Sequence, residues 1–336
     1  MALAAAKTFI AAEVLFASDL NALNTNILNN ALSLISPLTG SLDAGGFDIT
    51  ALDELAFSDA DADATATGRL RRTNQHLEWH DATASWPLQL VAGGAIFGLT
   101  ISNDTTDATN DIQVTAGQAI DDTEIYTLRL TATLIKQLDV AWAVGTNAGM
   151  LDTGAIANGT YHIYIIKRSD TGVTDILAST SATAPTMPTS YDFRRRIAAI
   201  LRESAAIVTF SQVGDEFLRG TPVLDVNTTN PGTAAVLSTL SVPTGIQVGA
   251  LVTFTIADGT PLGVQGWLSS PDQTDNVPTS SIMTILTTSG TPTHAWQGHI
   301  RTNTVRQVRY RLSGSDASMV VRITAQGWLD PRGRNV

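Results

Sequence analysis

The chain has 336 residues, a formal net charge of −11 and no cysteine. This length allows two or three domains with a sizeable core, so stability requires neither disulfides nor a structural metal. The negative charge disfavours nucleic-acid backbones and anionic membrane surfaces as partners. No apolar run reaches about 18 residues, so we expect no membrane insertion. The first residues do not match a secretory signal.

Charged residues make up only 15% of the chain, well below the usual share of about a quarter. Thr, Ser, Ala, Asn and Gly take their place. This composition favours a β-rich extracellular or virion surface over a cytosolic enzyme. The predicted fold class is mainly β, with a short N-terminal helix, an intertwined neck and two β-sandwich-like domains.

Residues 1–40 are predicted to contain one short amphipathic helix, capped by Ser18 or Asp19 and ended by Pro37 and Gly40. Apolar residues recur at helical spacing at Leu20, Leu23, Ile27, Ala31 and Leu34. The helix either packs on its own domain or joins a short parallel bundle with one helix from each chain. In a bundle, an asparagine such as Asn24 in the seam would set the register.

Residues 41–90 contain short alternating segments separated by turn residues, and none of them could bury a core alone. We therefore predict an intertwined β neck shared by three chains. On a strand, His76, Glu78 and His80 would lie on one face, and a polar hairpin edge is favoured there over a metal site. The acidic stretch 59–63 is followed by Ala64 where a calcium loop needs glycine, which favours a solvated loop.

Residues 91–220 are predicted to form a first β-domain. Its strand candidates are Ile96–Ile101, Asp111–Val114, Tyr126–Leu130, Tyr161–Lys167, Val173–Ala178, Arg196–Arg202 and Ile207–Gln212. Both faces of Tyr161–Lys167 are apolar, which predicts a central strand, and residues 168–172 have the composition of a turn to its partner.

Residues 221–336 are predicted to form a second β-domain, with residues 227–232 as a turn-rich linker into it. Its clearest feature is a predicted hairpin, in which residues 307–312 and 319–324 both alternate between apolar and polar side chains. One face of this hairpin would be buried, and the other would carry Arg309, Arg311 and Arg322.

The candidate contact residues of this second domain are Trp267, Trp296, Arg309, Arg311 and Arg322. Indole rings stack on sugars, although core packing is the favoured alternative for both tryptophans. The arginines could bind an acidic glycan or carboxylates of another subunit, or they could simply be solvated. The run Arg194–Arg196 is interpreted as a solvated strand edge or as ion-pair partners of a neighbouring chain.

No motif predicts catalysis: the chain lacks both a Gly-x-Ser-x-Gly elbow and a glycine-rich phosphate loop. Asp139, Asp152 and Asp175 could supply a carboxylate pair for glycan cleavage, but nothing places two of them across a cleft. His294 and His299 flank Trp296, and a zinc or nickel site there is a minority interpretation. We predict no enzyme activity, no metal and no cofactor.

Residues 9–21 read FIAAEVLFASDLN. This segment resembles a common opening of tailed-phage tail fibres and other virion structural proteins, with Ala12 in place of its glycine and Phe16 in place of its threonine. Residues 42–49 are similar to a Leu-Asp-x-Gly-Gly-Phe-x-Ile segment that often follows. Further similar segments are 136–154, 161–162, 166–170, 214–217 and the ending Gly327-Trp328-x-Asp330-x-Arg332-Gly333-Arg334.

The resemblance implies a virion protein that is assembled in the host cytoplasm, forms a homotrimer and carries no catalytic residue. It implies attachment to other virion proteins through the N-terminus, and from this we assign anchor and oligomerisation roles to Phe9, Val14, Leu20, Leu23, Asn24, Ile27 and Leu34. The C-terminal domains would recognise host-surface polysaccharide. The alternatives are a head fibre or capsid decoration protein and, less favoured, a polysaccharide-degrading tailspike.

Overall fold

The computed structural model describes residues 94–257, 263–287 and 293–334, and before them three strands: β1 (Arg69–Thr73), β2 (His76–His80) and β3 (Ser85–Pro87). All of these residues belong to one compact unit, Ser58–Val336. The helix predicted in residues 1–40 lies outside the described residues. In the predicted neck, β1 pairs with β2 and β2 with β3, both antiparallel. The intertwining of three chains stays a prediction.

The first large region is built around an extensive sheet. Its strands are β4 (Ile96–Gly98), β5 (Ile101–Asn103), β6 (Asp111–Val114), β7 (Gly117–Ile120), β8 (Thr127–Leu130), β9 (Leu134–Ala141), β10 (Ala148–Leu151), β11 (Gly159–Arg168), β12 (Thr174–Ser179), β13 (Tyr191–Glu203) and β14 (Ala206–Ile207). Eight of them pair in the order β14-β13-β11-β12-β10-β9-β6-β5. The other three form the sheet β4-β7-β8, which packs against the large sheet through apolar side chains such as Leu128 and Leu130.

Strand β11 confirms the prediction of a central strand. It pairs antiparallel with β12 on one side and with β13 on the other, and residues 161–166 are buried. The predicted turn at residues 168–172 connects β11 to β12. A strand with apolar side chains on both faces is stable only where both faces are covered, and here separate apolar clusters cover its two faces.

The second region is a sandwich of two sheets. Its strands are β15 (Phe210–Val213), β16 (Glu216–Thr229), β17 (Val236–Thr239), β18 (Gly249–Ala257), β19 (Gln265–Ser269), β20 (Ile285–Leu286), β21 (Thr293–Arg301), β22 (Gln307–Leu312) and β23 (Val320–Leu329). One sheet has the order β15-β16-β23-β18-β21 and the other β17-β22-β19-β20. The sheets approach closely, because a Cβ on Gly266 would lie 2.3 Å from the Ile256 side chain of the facing sheet.

The predicted hairpin of residues 307–312 and 319–324 is wrong in its pairing. The strands themselves exist as β22 and β23, but β22 pairs with β17 and β19, whereas β23 pairs with β16 and β18. The apolar residues of the two strands belong to one core, which they enter from the two opposite sheets. Alternation shows which side chains face the core, but it does not identify the neighbouring strand. Arg322 therefore lies on a different sheet from Arg309 and Arg311.

The predicted linker at residues 227–232 is also wrong over its first half. Asn227, Thr228 and Thr229 belong to β16 and pair with Arg322, Val321 and Val320 of β23. Strand β16 is 14 residues long and begins at Glu216, so it crosses the predicted domain boundary at 220/221. Asn favours turns, but Thr favours strands, and the pairing of residues 227–229 with β23 places all three in the sheet. The mainly-β prediction is confirmed, and the described residues include no helix, hence none of membrane-spanning length.

The C-terminal segment 330–334, which we call the C-terminal clasp, joins the sandwich to the large sheet. The Arg196 guanidinium donates two hydrogen bonds of 2.7 Å to the Asp330 carboxylate, and both side chains are buried. Arg332 donates to the backbone carbonyls of Ile197 and Leu99, at 2.7 Å each. Arg334 pairs with Asp215. The clasp thus binds side chains and backbone from several distant parts of the chain.

His162 lies beside this pair and is 1% exposed, with its Nδ1 unpartnered. Burial, and next the positive charge of Arg196, lower the pKa of His162 from 6.5 to about 4, while Asp330 opposes the shift. His162 is therefore neutral in the folded protein at neutral pH. Gly245 packs against its ring from the sandwich side.

We expect Asp330→Asn to lower the free energy of unfolding by about 3–5 kcal/mol, because it leaves the Arg196 charge buried without a counter-charge. Urea unfolding measures this change. The matched control is Asp272→Asn, which breaks a 3.1 Å pair with Arg301 whose side chains are 37% and 61% exposed, and which should cost less than about 1 kcal/mol. Equal effects of the two substitutions would contradict a special role for the clasp.

We expect the pH to change stability through His162. The unfolded chain takes up this proton near pH 6.5 and the folded chain only near pH 4. The contribution of neutral His162 to the free energy of unfolding is therefore fully present above pH 6.5. It decreases as the pH falls toward 4, by up to about 3 kcal/mol. His162→Gln should flatten this part of the stability–pH curve, measured by urea unfolding at pH 4 to 8. An unchanged slope in the variant would assign the effect to other groups.

Candidate functional site

The outer face of the four-stranded sheet brings together three of the five predicted contact residues. Trp267 on β19 is the direct cross-strand neighbour of Arg311 on β22, and Arg309 lies on the same face. Between them, Leu268 and Tyr310 point into the core. This separation follows from strand alternation, which sends successive side chains to opposite faces. We call Trp267, Arg309, Arg311, Leu237 and Asp275 the Trp267 face.

The Arg309 guanidinium lies over the indole ring of Trp267, with 5.8 Å from its Cζ to the ring centroid. Trp267 is half-buried, so part of the ring remains accessible to solvent. Leu237 on β17 is the cross-strand neighbour of Arg309 and is 53% exposed. The face therefore combines an aromatic surface, an exposed aliphatic side chain and guanidinium donors.

Asp275 supplies a carboxylate to the same face from the irregular segment that follows β19. Its Oδ2 accepts a 2.6 Å hydrogen bond from Arg311, and its Oδ1 lies 3.8 Å from Nε of Arg309. Arg309 also donates to the backbone carbonyl of Gln273. The arginines thus meet a carboxylate of their own chain, and they hold the 270–275 segment against the sheet. The Asp275 side chain is 36% exposed, so a ligand in solvent can reach it.

The other two predicted contact residues lie on the five-stranded sheet. Trp296 on β21 pairs with the buried Phe254 and packs against the core, in line with the alternative that the sequence favoured. Arg322 lies between Thr255 and Asn227. These two residues do not contribute to the Trp267 face.

The remaining candidates from the sequence are dispersed over the described residues. Asp175 is buried and pairs with the Lys136 ammonium at 3.0 Å, Asp152 accepts a hydrogen bond from the Thr186 amide, and Asp139 is exposed on β9. His294 and His299 are five positions apart on β21, and strand alternation sends them to opposite faces. Over the described ranges no group of three or more His, Asp or Glu side chains is arranged to hold a metal ion.

The run Arg194–Arg196 differs from its prediction as a solvated edge. Arg195 is 2% and Arg196 4% exposed, and only Arg194 is half-exposed, where it pairs with Asp122 at 2.9 Å. The partner of Arg196 is 134 positions away in the chain, so no local sequence signal identifies it. Asp275 was missed for the same reason, because it lies in a segment without periodicity, 36 positions before Arg311.

Comparisons with known proteins leave the family open. No family model matches the sequence, and comparison with the curated proteins gives no significant match. Among solved structures, the crystal structure of the infectious bursal disease virus VP2 subviral particle matches over 75% of this chain and 76% of that chain, with 11% identity and a TM-score of 0.21. A likeness at this level carries no argument about fold or function.

We expect Trp267 and Arg309 to be energetically coupled. In a double-mutant cycle with Trp267→Ala and Arg309→Met, the coupling free energy should be about 0.5–1 kcal/mol, as for a partly exposed cation–π contact. Chemical unfolding of the four variants gives this value. A parallel cycle of Trp267→Ala with Arg129→Met, an exposed arginine on β8 of the other region, should be additive. Additivity in both cycles would show that the stacked geometry adds no energy.

Proposed function

We propose that the chain is a structural protein of a tailed-phage virion: a trimeric tail fibre that attaches through its N-terminal segment and presents its C-terminal β-structure to host-surface glycans. The observation that carries the proposal is the ordered series of segments resembling phage fibres, from Phe9 to Arg334. The last of these segments is the C-terminal clasp together with Gly327 and Trp328. A mainly-β structure with few charged side chains supports the same proposal.

The Trp267 face is the proposed glycan contact. Sugars present an apolar face that stacks on an indole ring and hydroxyl groups that pair with charged side chains. Guanidinium forks also bind the carboxylates of acidic sugars. The face has one carboxylate, Asp275, held between two arginines, whereas glycoside hydrolysis uses a pair of carboxyl groups on either side of the bond. The proposed role is therefore binding.

Three copies of the chain would present three Trp267 faces. A weak single-site affinity then becomes a strong attachment, because the second and third contacts form at a high effective concentration. The overall negative charge of the chain also limits non-specific adhesion to anionic membranes and nucleic acids.

The assignment to the virion is tested by imaging. We expect a label fused to the C-terminus to appear on tail fibres in electron micrographs of purified particles, and light scattering of the isolated protein to give three times the monomer mass. Deletion of residues 1–37 should abolish incorporation into particles. Label on the head would favour the head-fibre alternative, and a monomer at micromolar concentration would contradict the trimer.

The glycan contact is tested separately on an array of bacterial surface polysaccharides. We expect Trp267→Ala and Arg309→Gln each to weaken binding about tenfold, equivalent to about 1.4 kcal/mol per contact. The control is Arg322→Gln, which changes an arginine on the other sheet. A loss in the control with none in Trp267→Ala would place the contact surface elsewhere.

A further inference from the structure

The arginines next to the C-terminal clasp differ in whether they have a carboxylate partner. Three arginines in this region are paired with carboxylates: Arg194 with Asp122, Arg196 with Asp330 and Arg334 with Asp215. Arg195 forms no such pair with any residue that the structure describes, although its position between Arg194 and Arg196 makes it part of the same cluster. Its side chain is 2% exposed.

The guanidinium of Arg195 has two buried nitrogen atoms, Nε and Nη2, with no hydrogen-bond partner. Burial, then the like charges of Arg196 and Arg334, lower its pKa, and the carboxylates of Glu124 and Asp122 oppose the shift. Arginine nevertheless stays protonated in proteins. A buried charge without a counter-ion is costly, and the nearby Asp122 is already paired with Arg194.

A cavity of about 30 Å³ lies at this cluster. Its walls include Arg194, Arg195, Arg196, Asp122, Tyr164 and Gly333. Arg196 contributes a further buried Nε without a partner. The cavity has room for about two water molecules, which suits a monatomic anion and is too small for a sugar or a nucleotide.

We propose that this cavity binds a single halide ion, chloride under physiological conditions. The ion accepts hydrogen bonds from the guanidinium groups and supplies the counter-charge that Arg195 lacks. Gly333 of the C-terminal clasp forms part of the wall, and a Cβ there would lie 3.4 Å from Nε of Arg195 and 3.0 Å from the Arg196 carbonyl oxygen. The ion therefore stabilises the closed clasp, independently of any glycan bound at the Trp267 face.

Diffraction on the full chain tests the site directly. Crystals soaked in bromide should show an anomalous peak in the cavity beside Arg195. An empty cavity, or one filled only by water without anomalous signal, would overturn the proposal. Because this experiment uses the unaltered protein, it does not depend on whether any variant folds.

Thermal unfolding tests the effect on stability. At constant pH and ionic strength, replacing gluconate by chloride should raise the unfolding midpoint by roughly 2–4 °C, and the increase should saturate with chloride concentration. Arg195→Met should abolish this difference, while the control Arg301→Met, at an exposed position on β21 outside the cavity wall, should retain it. A chloride effect that persists unchanged in Arg195→Met would show that halide acts elsewhere and would overturn the assignment.

Discussion

The buried ion pair between Arg196 and Asp330 is the contact on which the arrangement of the two β regions depends. Two charges taken out of water are tolerated only where each satisfies the other with good geometry, and here the guanidinium and carboxylate meet through two hydrogen bonds of 2.7 Å. Asp330 follows β23 of the sandwich, whereas Arg196 lies in β13 of the large sheet. The pair thus joins the end of the sandwich to the large sheet at one defined point.

Neighbouring residues support this pair from the sandwich side. Trp328 is fully buried and stacks on Phe217, with centroids 5.5 Å apart and rings nearly parallel. A Cβ at Gly327 would lie 2.2 Å from the Phe217 carbonyl oxygen, so only glycine fits this close approach. The ending Gly327-Trp328-x-Asp330-x-Arg332-Gly333-Arg334, which carried part of the resemblance to phage fibres, is therefore explained by packing and ion pairing.

The sequence predicted strands better than it predicted their neighbours. The strand Asp111–Val114, the central position of β11 and the alternation in β22 and β23 all follow from local residue patterns. The assignment of β22 and β23 to opposite sheets does not, because two alternating strands look the same whether they pair or face each other across a core. Alternation also placed Arg309 and Arg311 on an outer face, but core packing was favoured for Trp267, which lies on that same outer face. The buried state of Arg195 depends on residues more than 100 positions away in the chain.

The clasp also has a consequence for how the chain folds. Its contacts join Arg332 to Leu99 and Asp330 to Arg196, over sequence separations of 233 and 134 residues. Such distant contacts form late and slow the folding of a β-protein. During synthesis the large sheet emerges from the ribosome well before the segment that closes over Arg196 and Arg195. Until that segment arrives, Arg196 lacks its Asp330 partner, so the buried ion pair can form only after the whole sandwich has been synthesised.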